Sequence, residues 1–127
     1  MSFKFAESDV EEAALNWLEK LGYDRVYGPD LAPDGKTPER SNYSDVILIN
    51  RLKRAIALLN PTIPEDAQKD ALRLLQQAEY PKILEENRRL HRYIVEGVPV
   101  EFYGEDGVLK GDYVQVIDFA HPERNNW

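Results

Sequence analysis

Residues 85–119, EENRRLHRYIVEGVPVEFYGEDGVLKGDYVQVIDF, decide the fold because the spacing of their apolar residues changes within the stretch. Over residues 82–96 the apolar residues return every three or four positions, which predicts a helix. Over residues 98–103 apolar and polar residues alternate, which predicts a strand. The letters GEDG at 104–107 predict a turn, and a second alternation over residues 113–119 predicts a longer strand.

The predicted helix and hairpin have to share a core, because an isolated two-stranded hairpin is only marginally stable in water. The hairpin must therefore pack against helices or belong to a larger sheet. The side of the helix expected to face the core carries Leu84, Leu90 and Ile94. Three arginines lie toward the other side: Arg88, Arg89 and Arg92. The unpaired edge of the hairpin also predicts self-association, near Val114, Val116 and Ile117.

Three further helices are predicted before this stretch, at about 8–21, at 41–60 or 44–60, and at 64–78. The first has a capping-box pattern in Ser8 and Glu11, and Gly22 follows it as a left-handed cap. Residues 24–40 hold three prolines and two glycines and predict a loop, with at most a short strand at 25–27. Four helices and a hairpin give an α+β fold, and 127 residues suit a single domain over 1–127.

The composition limits the classes of function. A charged fraction of 31% with a formal net charge of −7 argues against a dedicated duplex-DNA or anionic-membrane binder, because such proteins need a basic surface. The absence of cysteine excludes disulfides and thiolate metal sites. The first residues lack the apolar core of a signal peptide, and no apolar run approaches the roughly 20 residues that span a bilayer. The sequence therefore predicts a cytoplasmic protein without a membrane segment.

Two glutamates are candidates for chemistry. Glu7 and Glu11 lie at the start of the first helix, where an acidic residue usually caps the helix or interacts with its dipole. The alternative is that one of them points toward a metal ion held by residues elsewhere in the domain. The two histidines, His91 and His121, are about thirty positions apart and have no cysteine to assist them, so no zinc site is predicted.

Basic side chains on two helices are candidates for contact with DNA. Arg51 lies in one short basic run, and Arg88 and His91 lie in another, each on a helix with an apolar opposite side. A charged helix face is usually only solvated, and the nearby Glu85 would oppose a phosphate group. Both interpretations remain open from the sequence.

Taken in order, many short motifs resemble the N-terminal segment of the R subunit of type I restriction endonucleases. The matching residues extend over nearly the whole chain: Glu7-Ser8-Asp9-Val10-Glu11, Gly22-Tyr23, Glu39-Arg40, Tyr43, Asp45-Val46, Arg51-Leu52, Leu59-Asn60-Pro61, Asn87-Arg88, His91, Gly97-Val98, Asp106-Gly107, Ile117-Asp118-Phe119, Pro122 and Asn125-Asn126. No single motif is strong, but their order and spacing together are fairly specific.

The resemblance implies an incomplete, N-terminal part of a PD-(D/E)xK nuclease-like domain that ends before the catalytic aspartate and glutamate-x-lysine. The parent would cleave foreign DNA after ATP-dependent translocation, with Mg²⁺ and ATP as cofactors and the modification and specificity subunits as partners. The letters Pro29-Asp30 and Asp34-Gly35-Lys36 match the nuclease motif superficially, but the residues between them are too few for a strand crossing. The chain alone is therefore expected to be inactive. The alternative is a small acidic protein-interaction module without a catalytic parent.

Overall fold

A computed structural model describes residues 5–125 and has an α+β architecture, as the sequence predicts. Its elements are α1 (Glu7–Lys20), α2 (Ile49–Leu59), α3 (Glu65–Gln76), α4 (Ile83–Glu96), β1 (Val98–Tyr103) and β2 (Leu109–Val114), with 3₁₀ turns at Gly28–Leu31 and Pro122–Arg124. The chain groups into two compact units, Met1–Tyr43 and Ser44–Trp127, which are described separately. That the whole chain forms a single domain stays a prediction.

In the first unit, α1 begins one residue before the predicted cap. Ala6 precedes the helix, and its backbone N–H donates to the Asp9 carboxylate over 3.1 Å. Asp9 therefore has the role of the acidic residue in a capping box, because its side chain accepts the backbone N–H of the N-cap residue. The capping role predicted for Ser8 and Glu11 is wrong. Ser8 and Glu11 lie inside the helix, because it starts at Glu7.

The other end of α1 agrees with the sequence. Gly22 has φ of +95°, its N–H donates to the Glu19 carbonyl, and the N–H of Tyr23 donates to the Leu18 carbonyl. These two bonds form a Schellman motif, which satisfies carbonyls that the helix leaves unpaired. No residue of α1 is buried, and its apolar stripe is exposed at Val10, Trp17, Leu18 and Leu21.

The loop after α1 is held by local hydrogen bonds and contains no strand between residues 24 and 40. The 3₁₀ turn at Gly28–Leu31 presents carbonyls to the later part of the loop, where the N–H of Thr37 donates to the Asp30 carbonyl. Arg25 donates two hydrogen bonds to the Glu12 carboxylate, at 2.8 and 2.6 Å, and so ties the loop to α1.

In the second unit, α2 begins at Ile49, later than either predicted start. Val46 is 94% exposed, whereas Ile47 and Ile49 pack against the core. Residues 47–49 are all half-buried, so the chain already contacts the core before α2 starts. The buried face of α2 is formed by Leu52, Ala55 and Ile56.

The core of this unit lies between the helices and one face of the hairpin. α3 lies across β1, and the buried cluster consists of Leu52, Ile56, Ile63, Ala67, Ala71, Leu72, Val98, Val100, Val114 and Val116. Val98 and Val100 point inward and Pro99 and Glu101 outward, which confirms the alternation predicted for β1. The hairpin therefore packs on helices, as its marginal stability in isolation requires.

The second strand starts and ends earlier than predicted. β1 and β2 pair antiparallel from Val98 opposite Val114 to Tyr103 opposite Leu109. Beyond Val114 the buried side chain of Asn60 replaces β1 as the partner: its Oδ1 accepts from the N–H of Gln115 and its Nδ2 donates to the Gln115 carbonyl, both at 2.8 Å. A side chain at the end of α2 thus continues the hydrogen bonding where the ladder stops.

The face of α4 that meets the unit is not the predicted one. Leu84 is 64% exposed and Ile94 is 39% exposed, while Arg89, predicted to point away, is only 7% exposed and is the one buried residue of the helix. The prediction is wrong because Arg89 finds enough hydrogen-bond acceptors to be buried. No helix within residues 5–125 has the length and apolar character needed to cross a membrane.

Candidate functional site

The buried Arg89 organises the surface around α4. Its Nη1 donates to the Leu74 carbonyl over 2.8 Å and its Nη2 to the Gln77 carbonyl over 2.7 Å, at the C-terminal end of α3. The last carbonyls of a helix have no partner within it, so a cation there satisfies acceptors and meets the negative end of the helix dipole. The Arg89 guanidinium also lies 5.1 Å from the centre of the Tyr93 ring, within the range of a cation–π contact.

Glu86 completes this cluster from the preceding turn of α4. Its carboxylate accepts from Arg89 Nε at 2.9 Å and from Arg89 Nη2, and it also accepts the backbone N–H groups of Tyr80 and Glu79 at 3.0 and 3.1 Å. The hydrogen bonds from Arg89, and then those from the two backbone groups, lower the pKa of Glu86 to about 2. Glu86 therefore holds the segment between α3 and α4 in place as a carboxylate.

A groove of about 640 Å³ lies beside this cluster, along α4 and toward the hairpin. It is lined by Glu79, Tyr80, Glu85, Arg88, Arg89, Arg92, Tyr93, Glu96, Gly97, Pro99 and Tyr113. Gly97 joins α4 to β1 with φ of +94°, and a Cβ atom there would lie 3.0 Å from Tyr113 Cβ. A glycine at this position therefore allows the ring of Tyr113 to stand at the end of the helix.

Of the three predicted DNA-contacting residues, the groove contains only Arg88. His91 is exposed on α4 outside the groove, and Arg51 lies half-buried on α2. The sequence interpretation did not identify Tyr80, Tyr93 and Tyr113 as neighbours of the arginines. The four-residue spacing of Arg89 and Tyr93 on one helix could have indicated their contact. Tyr80 and Tyr113 come from other segments of the chain, and only folding brings them close to the arginines.

Glu7 and Glu11 do not take part in a metal site within the described residues. Both are exposed on α1, and neither side chain has a hydrogen bond or ion pair between residues 5 and 125. In the same range no three His, Cys, Asp or Glu side chains lie close enough together to hold a metal ion. A catalytic role for Glu7 or Glu11 stays a prediction that requires ligands from elsewhere.

A second set of polar contacts closes the chain after the hairpin. The Asp118 carboxylate accepts the backbone N–H groups of Ala120 and His121, at 3.1 and 3.0 Å, and lies 3.7 Å from Arg124 Nη1. The N–H of His121 is the main cause of the lowered pKa of Asp118. Asn125 accepts from the Asp118 N–H at 2.8 Å and donates to the Asp118 carbonyl at 2.9 Å. These residues stabilise a loop and show no arrangement for catalysis.

The family comparison covers nearly the whole chain: the model described as "Type I restriction enzyme R protein N terminus (HSDR_N)" matches residues 4–127. The chain is 29% identical over 121 residues to the type I restriction enzyme HindI endonuclease subunit of Haemophilus influenzae. It is 31% identical over 118 residues to a protein of Methanocaldococcus jannaschii whose name describes it as a type I restriction enzyme MjaIXP endonuclease subunit. The alignments include 95% and 93% of this chain but 11% of each relative. No solved structure matches significantly.

Proposed function

Because the chain belongs to the family of type I restriction enzyme R protein N termini, we propose that it acts as the N-terminal region of a DNA-cleaving restriction subunit. The observation that carries the proposal is the family match over residues 4–127. Both relatives are named as endonuclease subunits, and the chain spans about a tenth of their length. A small acidic interaction module without a catalytic parent is not favoured by these comparisons.

The proposal assigns the chain a structural place in a PD-(D/E)xK-type nuclease domain. Two features support this placement: the hairpin offers an outer edge to which further strands can add, and α1 has an apolar stripe without buried residues. In that arrangement each of these two features packs against residues of the subunit outside this chain. Apart from the accessory role predicted for Glu7 or Glu11, the chemistry of cleavage then belongs to residues of the subunit outside this chain.

Mg²⁺ and ATP are the cofactors we propose for the complete subunit. The residues described here do not fit either group: residues 5–125 hold no cluster of three metal-ligating side chains, and the sequence contains no glycine-rich phosphate loop followed by lysine and serine or threonine. We therefore assign no step of metal or nucleotide chemistry to this chain. Its proposed partners, through the complete subunit, are DNA and the modification and specificity subunits.

The proposal is tested with the complete subunit that carries this chain, assembled with the modification and specificity subunits from the same locus. Cleavage of plasmid DNA with ATP and Mg²⁺ is measured by gel electrophoresis. The assembly should cut the plasmid, and the 127-residue chain alone should neither cut DNA nor hydrolyse ATP. An assembly that binds its partners but never cuts would contradict the proposed function.

A further inference from the structure

The groove along α4 has a distinct order of charges. Glu85, Arg88, Arg92 and Glu96 follow one another at intervals of three, four and four residues, and all four line the groove. Such spacing places the side chains in one stripe on the helix, about 16 Å long at 1.5 Å per residue. The stripe is negative at both ends and positive at its centre.

The positive centre is available to a ligand. Arg88 and Arg92 are exposed, and neither has an ion pair within the described part of the chain, residues 5–125. The carboxylates that would otherwise compete, Glu86 and Glu79, are turned toward the buried Arg89, with N–O distances of 2.9 and 3.9 Å. Two guanidinium groups one helical turn apart, neither of them in an ion pair with the flanking Glu85 or Glu96 among the described residues, suit a single phosphate or two successive ones.

Two tyrosines of the groove contact opposite ends of α4: the Tyr80 N–H donates to Glu86 near its start, and Tyr113 lies beside Gly97 after its end. Tyr80 precedes α4 and is 48% exposed, and Tyr113 comes from β2 and is 57% exposed. Along α4 these exposed side chains therefore follow in the order tyrosine, two arginines, tyrosine. That order matches two nucleotides of an unpaired strand, in which a phosphate lies between two bases and each base can stack on an aromatic side chain.

The same groove does not suit a duplex. Duplex binding requires a broad basic surface that neutralises many phosphates, whereas this chain has a net charge of −7 and carboxylates at both ends of the stripe. In an unpaired strand the bases reach the ends, and there Glu85 and Glu96 can accept hydrogen bonds from exocyclic amino groups. Glu85 and Glu96 thus favour a base, and disfavour a phosphate, at each end of the stripe.

We propose that this groove binds a short single-stranded segment of DNA, with the phosphate on Arg88 and Arg92 and the flanking bases on Tyr80 and Tyr113. This inference rests on the proposed function, which supplies DNA as the substrate class. The groove is then a binding surface for one DNA strand that is separate from the site of cleavage.

The test is fluorescence anisotropy with the 127-residue chain and a labelled 12-nucleotide DNA, either single-stranded or paired with its complement. The variant is Arg88→Ala with Arg92→Ala. The matched control is Lys53→Ala with Arg54→Ala, which removes two exposed cations from α2 in the same unit and so changes the net charge equally. Circular dichroism is used to check that both double variants keep their helices.

The single strand should bind more tightly than the duplex. The Arg88 and Arg92 double variant should weaken its binding tenfold or more and reduce the salt slope by about 0.7 to 1.4, whereas the control double variant should weaken binding less than twofold. Tyr113→Ala should also weaken binding, and Tyr113→Phe should retain it, because stacking needs the ring and not the hydroxyl.

Three results would overturn the proposal: no binding of the single strand by the unchanged chain, an equal loss in the two double variants, or a duplex bound as tightly as the single strand. The first two would leave a protein segment as the occupant of the groove, since tyrosine and arginine are also enriched at protein interfaces. Each result leaves the proposed function intact, because that function is measured separately as cleavage by the complete assembly.

Discussion

Single side chains carry much of the order of the second unit, and Asn60 is the clearest case. Its amide bonds to both main-chain polar groups of Gln115, and its Nδ2 also donates to the Ile56 carbonyl over 2.8 Å. Removing a buried side chain that satisfies such groups leaves them unpaired, at a cost of about 1–3 kcal/mol for each group.

We therefore expect Asn60→Ala to lower the free energy of unfolding by about 2–3 kcal/mol, measured by urea denaturation of the 127-residue chain. The control is Asn87→Ala, at an exposed position of α4, which should change the free energy of unfolding by no more than about 0.5 kcal/mol. Equal effects of the two substitutions would show that Asn60 does not join α2 to the chain after β2.

The pair of Glu86 and Arg89 predicts a dependence of stability on pH. Because the folded pKa of Glu86 lies at about 2, below its usual 4.5, the carboxylate stabilises the fold above pH 4.5. This contribution is lost as the pH falls from about 4.5 through about 2. In Glu86→Gln, the loss of stability over this window should be smaller than in the unchanged chain.

Thermal melts at pH values from 6 to 2 measure this difference. Glu85→Gln is the matched control, since Glu85 is exposed and has no ion pair in the described range 5–125. It should leave the steepness of the acid loss unchanged. If Glu85→Gln and Glu86→Gln alter the acid dependence equally, the Arg89 cluster is not its source.

Among whole elements, those with a strong local pattern follow the sequence closely. The period of two in residues 98–103 predicts β1 to the residue, and Gly22 predicts the end of α1. The orientation of α4 was not predictable from its apolar residues, because the long side chain of Arg89 reaches carbonyls of another helix. The end of β2 depends on Asn60, which lies 55 positions away from Gln115. Such contacts are tertiary and leave no local pattern.

The outer edge of β2 allows a prediction about association. Pro99 has no N–H, so the opposed pair of Pro99 and Tyr113 is not a hydrogen-bonded pair. Hydrogen-bonded and non-hydrogen-bonded pairs alternate along an antiparallel ladder, so the pair of Glu101 and Gly111 is also non-hydrogen-bonded. The N–H of Gly111 therefore points away from β1. The side chains of Val114 and Val116 are buried, so the predicted contact would involve the main chain of β2 instead of these residues.

We expect the chain to self-associate through this edge at high concentration, and Gly111→Pro to reduce association because it removes the outward donor. Analytical ultracentrifugation over a range of concentrations measures the change. Lys110→Ala is the control, since it alters a neighbouring side chain and keeps the outward N–H of Gly111. A chain that stays monomeric without any substitution would show that this edge is already protected.

For the molecule as a whole, Glu11 is the residue of this chain that we predict to assist the proposed cleavage of DNA by the complete subunit. Asp9, not Glu11, accepts the N-terminal hydrogen bond of α1, so the role of helix cap is removed. Glu11→Gln should then leave the stability of the chain almost unchanged, within about 0.5 kcal/mol, as expected for an exposed residue without a hydrogen bond among those described.

In the complete subunit that we propose, an accessory carboxylate near the metal ion requires its charge, and an amide of the same shape does not replace it. Glu11→Gln should therefore lower the cleavage rate about tenfold, which corresponds to about 1.4 kcal/mol of barrier, while ATP-driven translocation stays unchanged. Glu19→Gln is the matched control, because it removes the same charge from an exposed position two turns further along α1. Cleavage that is equal in the unchanged subunit and both variants would assign Glu11 to the solvated surface of α1.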